Sequence, residues 1–125
     1  MARKALVVDD SMLIRHTVCR FLEKRGFEVQ SASNGREALE VLASLQPDII
    51  ITDMQMPHMS GSELISALKA KAETADIPIV ILAGRHGGLD QNESRANYAI
   101  FKDIDIDSQL HLAVSVALGE PSPRS

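Results

Sequence analysis

Short apolar runs alternate with longer amphipathic stretches along the 125-residue chain. The runs are rich in Val, Ile and Leu and end close to polar residues, which is typical of buried strands. The stretches between them repeat apolar residues every three or four positions, as amphipathic helices do. Five strands are predicted in this way, at residues 5–8, 27–32, 49–52, 79–82 and 98–101.

The helices are predicted from residues typical of helix ends and from their apolar faces. The first spans residues 12–24 and ends before Gly26. Asn34 and Ser60 each precede a Glu by three residues, in the manner of a capping box, and therefore mark the start of two further helices. The last helix is predicted to begin near Asp107. In the first helix, the residues at helical spacing are Ile14, Val18 and Leu22, with Leu13, Thr17 and Phe21 beside them. In the last helix, they are Leu110, Ala113, Val114, Ala117 and Leu118.

Strands that alternate with helices predict a parallel sheet covered on both faces, because parallel strands need helical crossovers. The near-continuous apolar character of the strands supports burial on both sides. We see no internal repeat, linker or second domain. The expected organisation is one α/β domain at residues 1–119, followed by a short disordered tail at residues 120–125.

Composition excludes several classes of protein. The chain has 13 Lys and Arg against 17 Asp and Glu, and a net charge of −4 argues against a main function of neutralising nucleic-acid phosphates. Its single cysteine, Cys19, excludes an internal disulfide framework. No apolar run approaches the roughly 20 residues of a membrane span. The apolar stretch behind Arg3 and Lys4 is too short for a signal peptide. We therefore expect a cytoplasmic protein without nucleic-acid or membrane contact.

Charged residues follow three of the predicted strands. Asp9 and Asp10 follow the first, Asp53 follows the third and Lys102 follows the fifth. In an open α/β sheet the ligand site lies beyond the carboxyl ends of the strands, so these side chains are expected to converge. A hard cation such as Mg²⁺ would relieve the repulsion between three carboxylates. Asp53 is then a candidate nucleophile, although Asp9 and Asp10 alone would also suit the start of a helix.

The motifs around these residues are specific in combination. They are Val7-Val8-Asp9-Asp10-Ser11, Ile51-Thr52-Asp53-Met54-Gln55-Met56-Pro57 with Met59 and Gly61, and Lys102. In order and spacing they resemble the receiver domain of two-component response regulators, over essentially the whole chain. The resemblance implies a flavodoxin-like, doubly wound five-stranded parallel sheet with strand order 2-1-3-4-5.

The resemblance also implies a function and a set of site residues. A histidine kinase or phosphotransfer protein would donate a phosphoryl group from phosphohistidine to Asp53. Asp10, Asp53 and the backbone carbonyl of Gln55 would coordinate Mg²⁺, with Asp9 acting largely through water. Lys102 would pair with the acyl phosphate. The downstream protein target is not implied.

Four departures from the family pattern lie on one side of the site. Ala83 occupies the position at the end of the fourth strand where the family has Ser or Thr, and Ala99 replaces the switch aromatic residue, with Tyr98 expected on the opposite face. Asp103 follows Lys102 where proline is usual. Lys102 lies only 19 positions after Ala83, which predicts a shortened or irregular fourth helix. We expect Asp53 to bind metal and accept phosphate while the usual hydroxyl–aromatic switch does not operate.

Three functions remain open at this point. The first is a phosphoacceptor signalling module, which catalyses only its own phosphorylation and dephosphorylation. The second is a pseudo-receiver, a phosphorylation-independent interaction module, which Ala83, Ala99 and Asp103 favour. The third is a Mg²⁺-dependent phosphatase with an aspartyl nucleophile. That class needs an Asp-x-Asp arrangement after the first strand, whereas this chain has adjacent aspartates and no cap insertion.

Overall fold

The computed structural model describes residues 3–54, 59–83, 98–101 and 105–119. These residues form five strands and five helices. The strands are β1 (Lys4–Val8), β2 (Glu28–Ala32), β3 (Ile49–Asp53), β4 (Ile79–Ala83) and β5 (Tyr98–Phe101). The helices are α1 (Met12–Lys24), α2 (Gly35–Leu42), α3 (Gly61–Lys69), α4 (Ala72–Ala75) and α5 (Ile106–Ala117).

All paired strands run parallel, in the order β2-β1-β3-β4-β5. The predicted α/β class and strand order are therefore confirmed. β1 lies between β2 and β3, and its last residue, Val8, pairs with Thr52 of β3. Asp53 in turn pairs with Leu82 of β4. This register brings the residues that follow β1 next to the carboxyl end of β3.

Each face of the sheet has its own apolar core because successive side chains of a strand point to opposite faces. Helices α1 and α5 cover one face, and α2 and α3 cover the other. The first core buries the strand side chains Ala5, Val7, Ile49, Ile51, Val80, Leu82 and Ile100. The second buries Leu6, Val8, Ile50, Ile79, Ile81 and Ala83.

The predicted helix starts agree closely with the structure, with small differences in detail. Ser60 caps α3 in a complete capping box. Asn34 caps α2 through Glu37 N–H, but the Glu37 carboxylate accepts from the N–H of Ser33, so the box is displaced by one residue. In α1, Leu13 is 72% exposed, so the buried line is the one through Val18 and Leu22.

The pattern did not predict α4, a helix of only four residues between α3 and β4. Such a short helix carries too few residues to show an apolar period. The shortened helix expected between β4 and β5 falls within residues 84–97, outside the described residues, as does the tail expected at 120–125. Within the described part of the chain, no helix has the length and apolar character needed to cross a membrane.

Candidate functional site

Three carboxylates meet at the carboxyl ends of β1 and β3. One oxygen from each of Asp9, Asp10 and Asp53 lies within 4.8 Å of the others. Asp9 is fully buried, Asp53 is 4% exposed and Asp10 faces solvent. The structure therefore brings together the acidic residues that the two sequence motifs contribute.

Backbone contacts hold Asp9 in place at the end of β1. Its N–H donates to the carbonyl of Ala32 in β2 at 3.1 Å, and its own carbonyl accepts from Arg15 Nη1 at 2.9 Å. Its Oδ1 accepts from the N–H of Ser11 at 2.8 Å. Because Ser11 itself caps α1 by accepting from Ile14 N–H, helix capping alone does not explain the paired aspartates.

The chain after Asp53 is fixed by close packing against the start of α3. Thr52 Oγ1 donates to the Asp53 carbonyl at 3.0 Å, and Gly61 N–H donates to the Met54 carbonyl at 2.9 Å. A Cβ atom at Gly61 would lie 2.5 Å from the Asp53 carbonyl oxygen and 2.7 Å from the Met54 Cα. Both obstacles are backbone atoms, so only glycine fits here without a shift of the nucleophile's own strand end.

The charge and spacing of this cluster suit a divalent cation. Two unit negative charges 4.8 Å apart repel by about 3 kcal/mol at an effective dielectric constant of about 20. Oxygens that share one Mg²⁺ lie no more than about 4.2 Å apart, so small side-chain movements would bring all three to one ion. Carboxylates are also the hard oxygen ligands that Mg²⁺ prefers. The donor set therefore fits this metal.

The carboxyl ends of β4 and β5 are different in character. Ala83 is buried at the end of β4 and offers only a methyl group. Ala99 and Phe101 pack against the core on the α2 and α3 face, whereas Tyr98 packs on the α1 and α5 face. The orientation expected for Tyr98, on the face opposite Ala99, is therefore confirmed.

Some residues singled out in the sequence do not belong to the cluster or are not described. Lys102, Gln55 and Asp103 lie outside the described residues. Cys19 is half-buried in α1, and burial raises the pKa of its thiol, which agrees with a packing role rather than a nucleophilic one. Hydrogen bonds from Ser108 lower the pKa of the exposed Asp105 carboxyl, which caps α5.

One polar residue that contacts the carboxyl end of β5 escaped the sequence pattern. Gln109 in α5 is half-buried, and its side-chain amide makes two hydrogen bonds with the backbone of Phe101 in β5. In the sequence, Gln109 is distinguished only as a long polar residue directly before Leu110. A helical pattern identifies the core face but cannot show that a polar neighbour reaches a strand edge.

Comparison with known proteins agrees with this geometry. The family described as "Response regulator receiver domain" matches residues 5–114. The chain belongs to this family. As a receiver domain it is a component of two-component signalling, and its acidic cluster is of the kind at which receiver domains bind Mg²⁺.

Several receiver-containing proteins are similar in sequence or structure. The phosphate regulon transcriptional regulatory protein PhoB of Klebsiella pneumoniae is 42% identical over 85 residues, covering 68% of this chain and 37% of PhoB. The chemotaxis response regulator CheY4 of Vibrio cholerae superimposes with a TM-score of 0.81 and 30% identity, covering 93% of this chain and 99% of CheY4. A receiver domain protein from Clostridium thermocellum gives a TM-score of 0.81 at 31% identity, covering 94% of each chain. The receiver domain described here spans little more than a third of PhoB.

Proposed function

We propose that this receiver domain accepts a phosphoryl group on Asp53 from a phosphohistidine of a histidine kinase or phosphotransfer protein. The observation that carries the proposal is the meeting of Asp9, Asp10 and Asp53 at one strand-end edge, with oxygens within 4.8 Å. A purely structural role would rarely place a buried carboxylate next to other carboxylates. It is the expected one for a phosphoacceptor that shares a cation with its neighbours.

In this mechanism an Asp53 carboxylate oxygen attacks phosphorus, and the P–N bond to the donor imidazole breaks. The imidazole leaves with the electron pair and takes up a proton, while Asp53 becomes an acyl phosphate. Asp10, Asp53 and the Gln55 carbonyl would hold Mg²⁺, with Asp9 acting largely through water, and the bound ion would supply positive charge to the phosphoryl oxygens. Lys102 is assigned the role of a second positive partner for those oxygens.

The chain's own backbone orients the nucleophile. Gly61 lets the start of α3 approach the Asp53 carbonyl, and Thr52 donates to the same carbonyl. Arg15 and Ser11 hold Asp9 at the other side of the cluster. These contacts pre-organise the carboxylates, so little rearrangement is needed when the phosphodonor arrives.

A pseudo-receiver is the second candidate, favoured by one specific observation. Ala83 is buried and apolar where a hydroxyl would contact the phosphoryl group, and Tyr98 lies on the opposite face from Ala99. Under this alternative the domain acts as an interaction surface without a phosphorylation cycle.

Cytoplasmic location and the absence of nucleic-acid contact by this domain stay predictions. PhoB is a transcriptional regulator by name, and any effector activity linked to this chain is likewise a proposal.

Beryllofluoride with Mg²⁺ separates the two candidates, because the adduct forms only on a competent phosphoacceptor carboxylate. We expect wild-type protein to show Mg²⁺-dependent adduct formation by ¹⁹F NMR and to take up phosphate from acetyl phosphate in a form that hydroxylamine releases, as it does from an acyl phosphate. Asp53→Asn should abolish both. Asp76→Asn is the control, since Asp76 is an exposed residue at the end of α4. Absence of both signals in the wild type would favour the pseudo-receiver.

A further inference from the structure

A small groove opens between α1 and β2. It has a volume of about 200 Å³ and is lined by Met12, Arg15, His16, Cys19 and Ser31. Its four lining residues from α1 are spaced three and four positions apart, so they lie on one face of the helix. Ser31 comes from β2, where it pairs with Val7 of β1. The groove therefore combines side chains from two elements that the fold holds next to each other.

The lining of this groove is rich in hydrogen-bond donors. Arg15 supplies a guanidinium, His16 an imidazole and Ser31 a hydroxyl, and none of the described residues that line the groove is acidic. His16 and Ser31 are exposed, whereas Arg15 is half-buried. The groove is therefore open to solvent, and its one permanent charge is positive and partly buried. In a chain with a net charge of −4, this combination suits an anionic ligand.

Arg15 also connects the groove to the acidic cluster. Its Nη1 donates to the Asp9 carbonyl at 2.9 Å, which is the only hydrogen bond that this guanidinium makes within the described part of the chain. A guanidinium has several further N–H groups and can bind an oxyanion through two of them at once. Burial and the charge of Glu23 raise the pKa of the Cys19 thiol, and the charge of Arg15 opposes this increase. The positive charge of Arg15 therefore acts inside the groove as well as beside Asp9.

We propose that the groove binds the phosphate group of a phosphate monoester through Arg15, His16 and Ser31. Three separate donors suit the three terminal oxygens of such a group, whereas a planar carboxylate offers only two oxygens. The groove of about 200 Å³ has room for a phosphate group, since one water molecule occupies about 30 Å³ of the liquid. Because Arg15 also holds the Asp9 carbonyl, the bound ligand changes the surroundings of that carbonyl from outside the acidic cluster. This site does not depend on phosphoryl transfer to Asp53.

A second groove on the same helix provides an internal comparison. It lies between α1 and α5, and its lining includes Arg20 and Lys24 but also Asp107. A phosphate group in that groove would face a carboxylate as well as cations, and the carboxylate would repel it. Arg20 is exposed and does not line the groove between α1 and β2. Arg20→Met is therefore a matched control, because it removes a guanidinium from α1 but not from the proposed site.

The binding experiment is an NMR titration of metal-free protein at constant ionic strength. Methyl phosphate and inorganic phosphate are the probes, and the signals followed are the backbone amide of Ser31 and the carbonyl carbon of Asp9. We expect both signals to move with one dissociation constant, on the order of 1 mM. Acetate should bind about tenfold more weakly. A tenfold preference for inorganic phosphate over methyl phosphate would assign the site to the free ion rather than to a monoester.

Three variants test the assigned donors. Arg15→Met should raise the dissociation constant of methyl phosphate about tenfold, because it removes the charge and the paired N–H groups. Ser31→Ala removes one hydroxyl from an exposed position of β2 and should raise it about threefold. Arg20→Met should match the wild type. Far-UV circular dichroism reports whether each variant keeps the fold. Should Arg15→Met not fold, Arg15→Lys keeps the charge without the paired N–H groups and should give a smaller increase.

Equal dissociation constants for the wild type, Arg15→Met and Ser31→Ala would overturn the proposal. So would a Ser31 amide signal that does not move in the wild type. If the Ser31 signal moved while the Asp9 carbonyl signal stayed fixed, the link between the groove and the acidic cluster would be refuted. A wild type that accepts no phosphoryl group on Asp53 would refute the proposed function instead, and these titrations without Mg²⁺ would still decide whether the groove binds phosphate.

Discussion

The strand-end edge of this receiver domain has two halves with opposite chemistry. The ends of β1 and β3 carry Asp9, Asp10 and Asp53, and two of these carboxylates are buried. The described ends of β4 and β5 carry Ala83 and Phe101, whose side chains lack polar atoms. Both halves belong to the same parallel sheet, which has an apolar core on each face.

This difference separates two tasks that one site would normally combine. The carboxylates suited to a divalent cation lie in the acidic half. Sensing the phosphoryl group through a hydroxyl requires the other half, and there the chain has a methyl group at Ala83. The fold therefore keeps the acidic cluster on which the proposed phosphoryl acceptance depends, while β4 offers no side-chain hydroxyl at Ala83 for a response to phosphorylation.

The largest expected effect comes from removing a charge from the acidic half. Mg²⁺ at about one hundred times its dissociation constant should raise the free energy of unfolding of the wild type by about 2.7 kcal/mol, because the site exists only in the folded state. Asp53→Asn should raise the stability of the metal-free protein, since it removes repulsion among carboxylates. Mg²⁺ should raise the free energy of unfolding of this variant only slightly. Urea unfolding with EDTA and with Mg²⁺ measures both quantities.

Asp76→Asn is the control for this experiment because Asp76 is exposed and its substitution leaves the cluster of Asp9, Asp10 and Asp53 intact. It should respond to Mg²⁺ as the wild type does. Equal stabilisation of wild type and Asp53→Asn by Mg²⁺ would mean that the acidic half does not bind the ion through Asp53.

The next effect concerns the backbone that supports the acidic half. Gly61→Ala would place a methyl group 2.5 Å from the Asp53 carbonyl oxygen, so the strand end or α3 must move. We expect a loss of about 1–3 kcal/mol in the free energy of unfolding, together with weaker Mg²⁺ binding. Urea unfolding and a Mg²⁺ titration measure the two effects.

Gly35→Ala is a matched control because Gly35 is also the first residue of a helix, α2. The three atoms nearest to its added methyl group would be side-chain atoms of Met59, at 2.8–2.9 Å, rather than backbone atoms. Its cost should be smaller and its Mg²⁺ affinity normal. If both alanine variants weakened Mg²⁺ binding equally, close packing at Gly61 would not be what positions Asp53.

A smaller effect is expected from restoring polarity to the other half. Ala83→Ser adds a hydroxyl at the position where the resemblance implies Ser or Thr. One added hydrogen bond to a charged group is worth about 1.5 kcal/mol, so the affinity for beryllofluoride should rise about tenfold. Ala99→Ser places the same group on β5 and should leave the affinity unchanged. Equal increases in beryllofluoride affinity for Ala83→Ser and Ala99→Ser would show that a hydroxyl at position 83 is not the contact that the β4 and β5 half lacks.

The smallest effect lies at the start of α5. Hydrogen bonds from Ser108 lower the pKa of Asp105 below its unfolded value, so the carboxylate stabilises the fold above about pH 3.9. That stabilisation is lost as the pH falls through the lower pKa of the folded state. Asp105→Ala should therefore flatten the dependence of unfolding free energy on pH in this acid range. Asp107→Ala, which keeps the Ser108 contacts, should retain the slope.

Local patterns were sufficient for most of the architecture. The apolar runs predicted all five strands to within a residue or so at each end, and Ser60 predicted the start of α3. The parallel sheet followed from the alternation of strands and helices, and the strand order followed from the resemblance. The lack of a hydroxyl at Ala83 could be seen by counting from Asp53. These features were accessible because strand burial, helix caps and motif spacing are properties of neighbouring residues.

Contacts between distant segments were decided only by the tertiary structure. The pairing of Val8 with Thr52 sets how closely Asp9 and Asp10 approach Asp53, and no local pattern contains that register. Packing of α3 against β3 makes glycine necessary at position 61. The amide of Gln109 reaches Phe101 because α5 folds back along the sheet edge. Each depends on where the chain returns in space, since hydrogen bonding and steric exclusion act over a few ångströms whatever the separation in sequence.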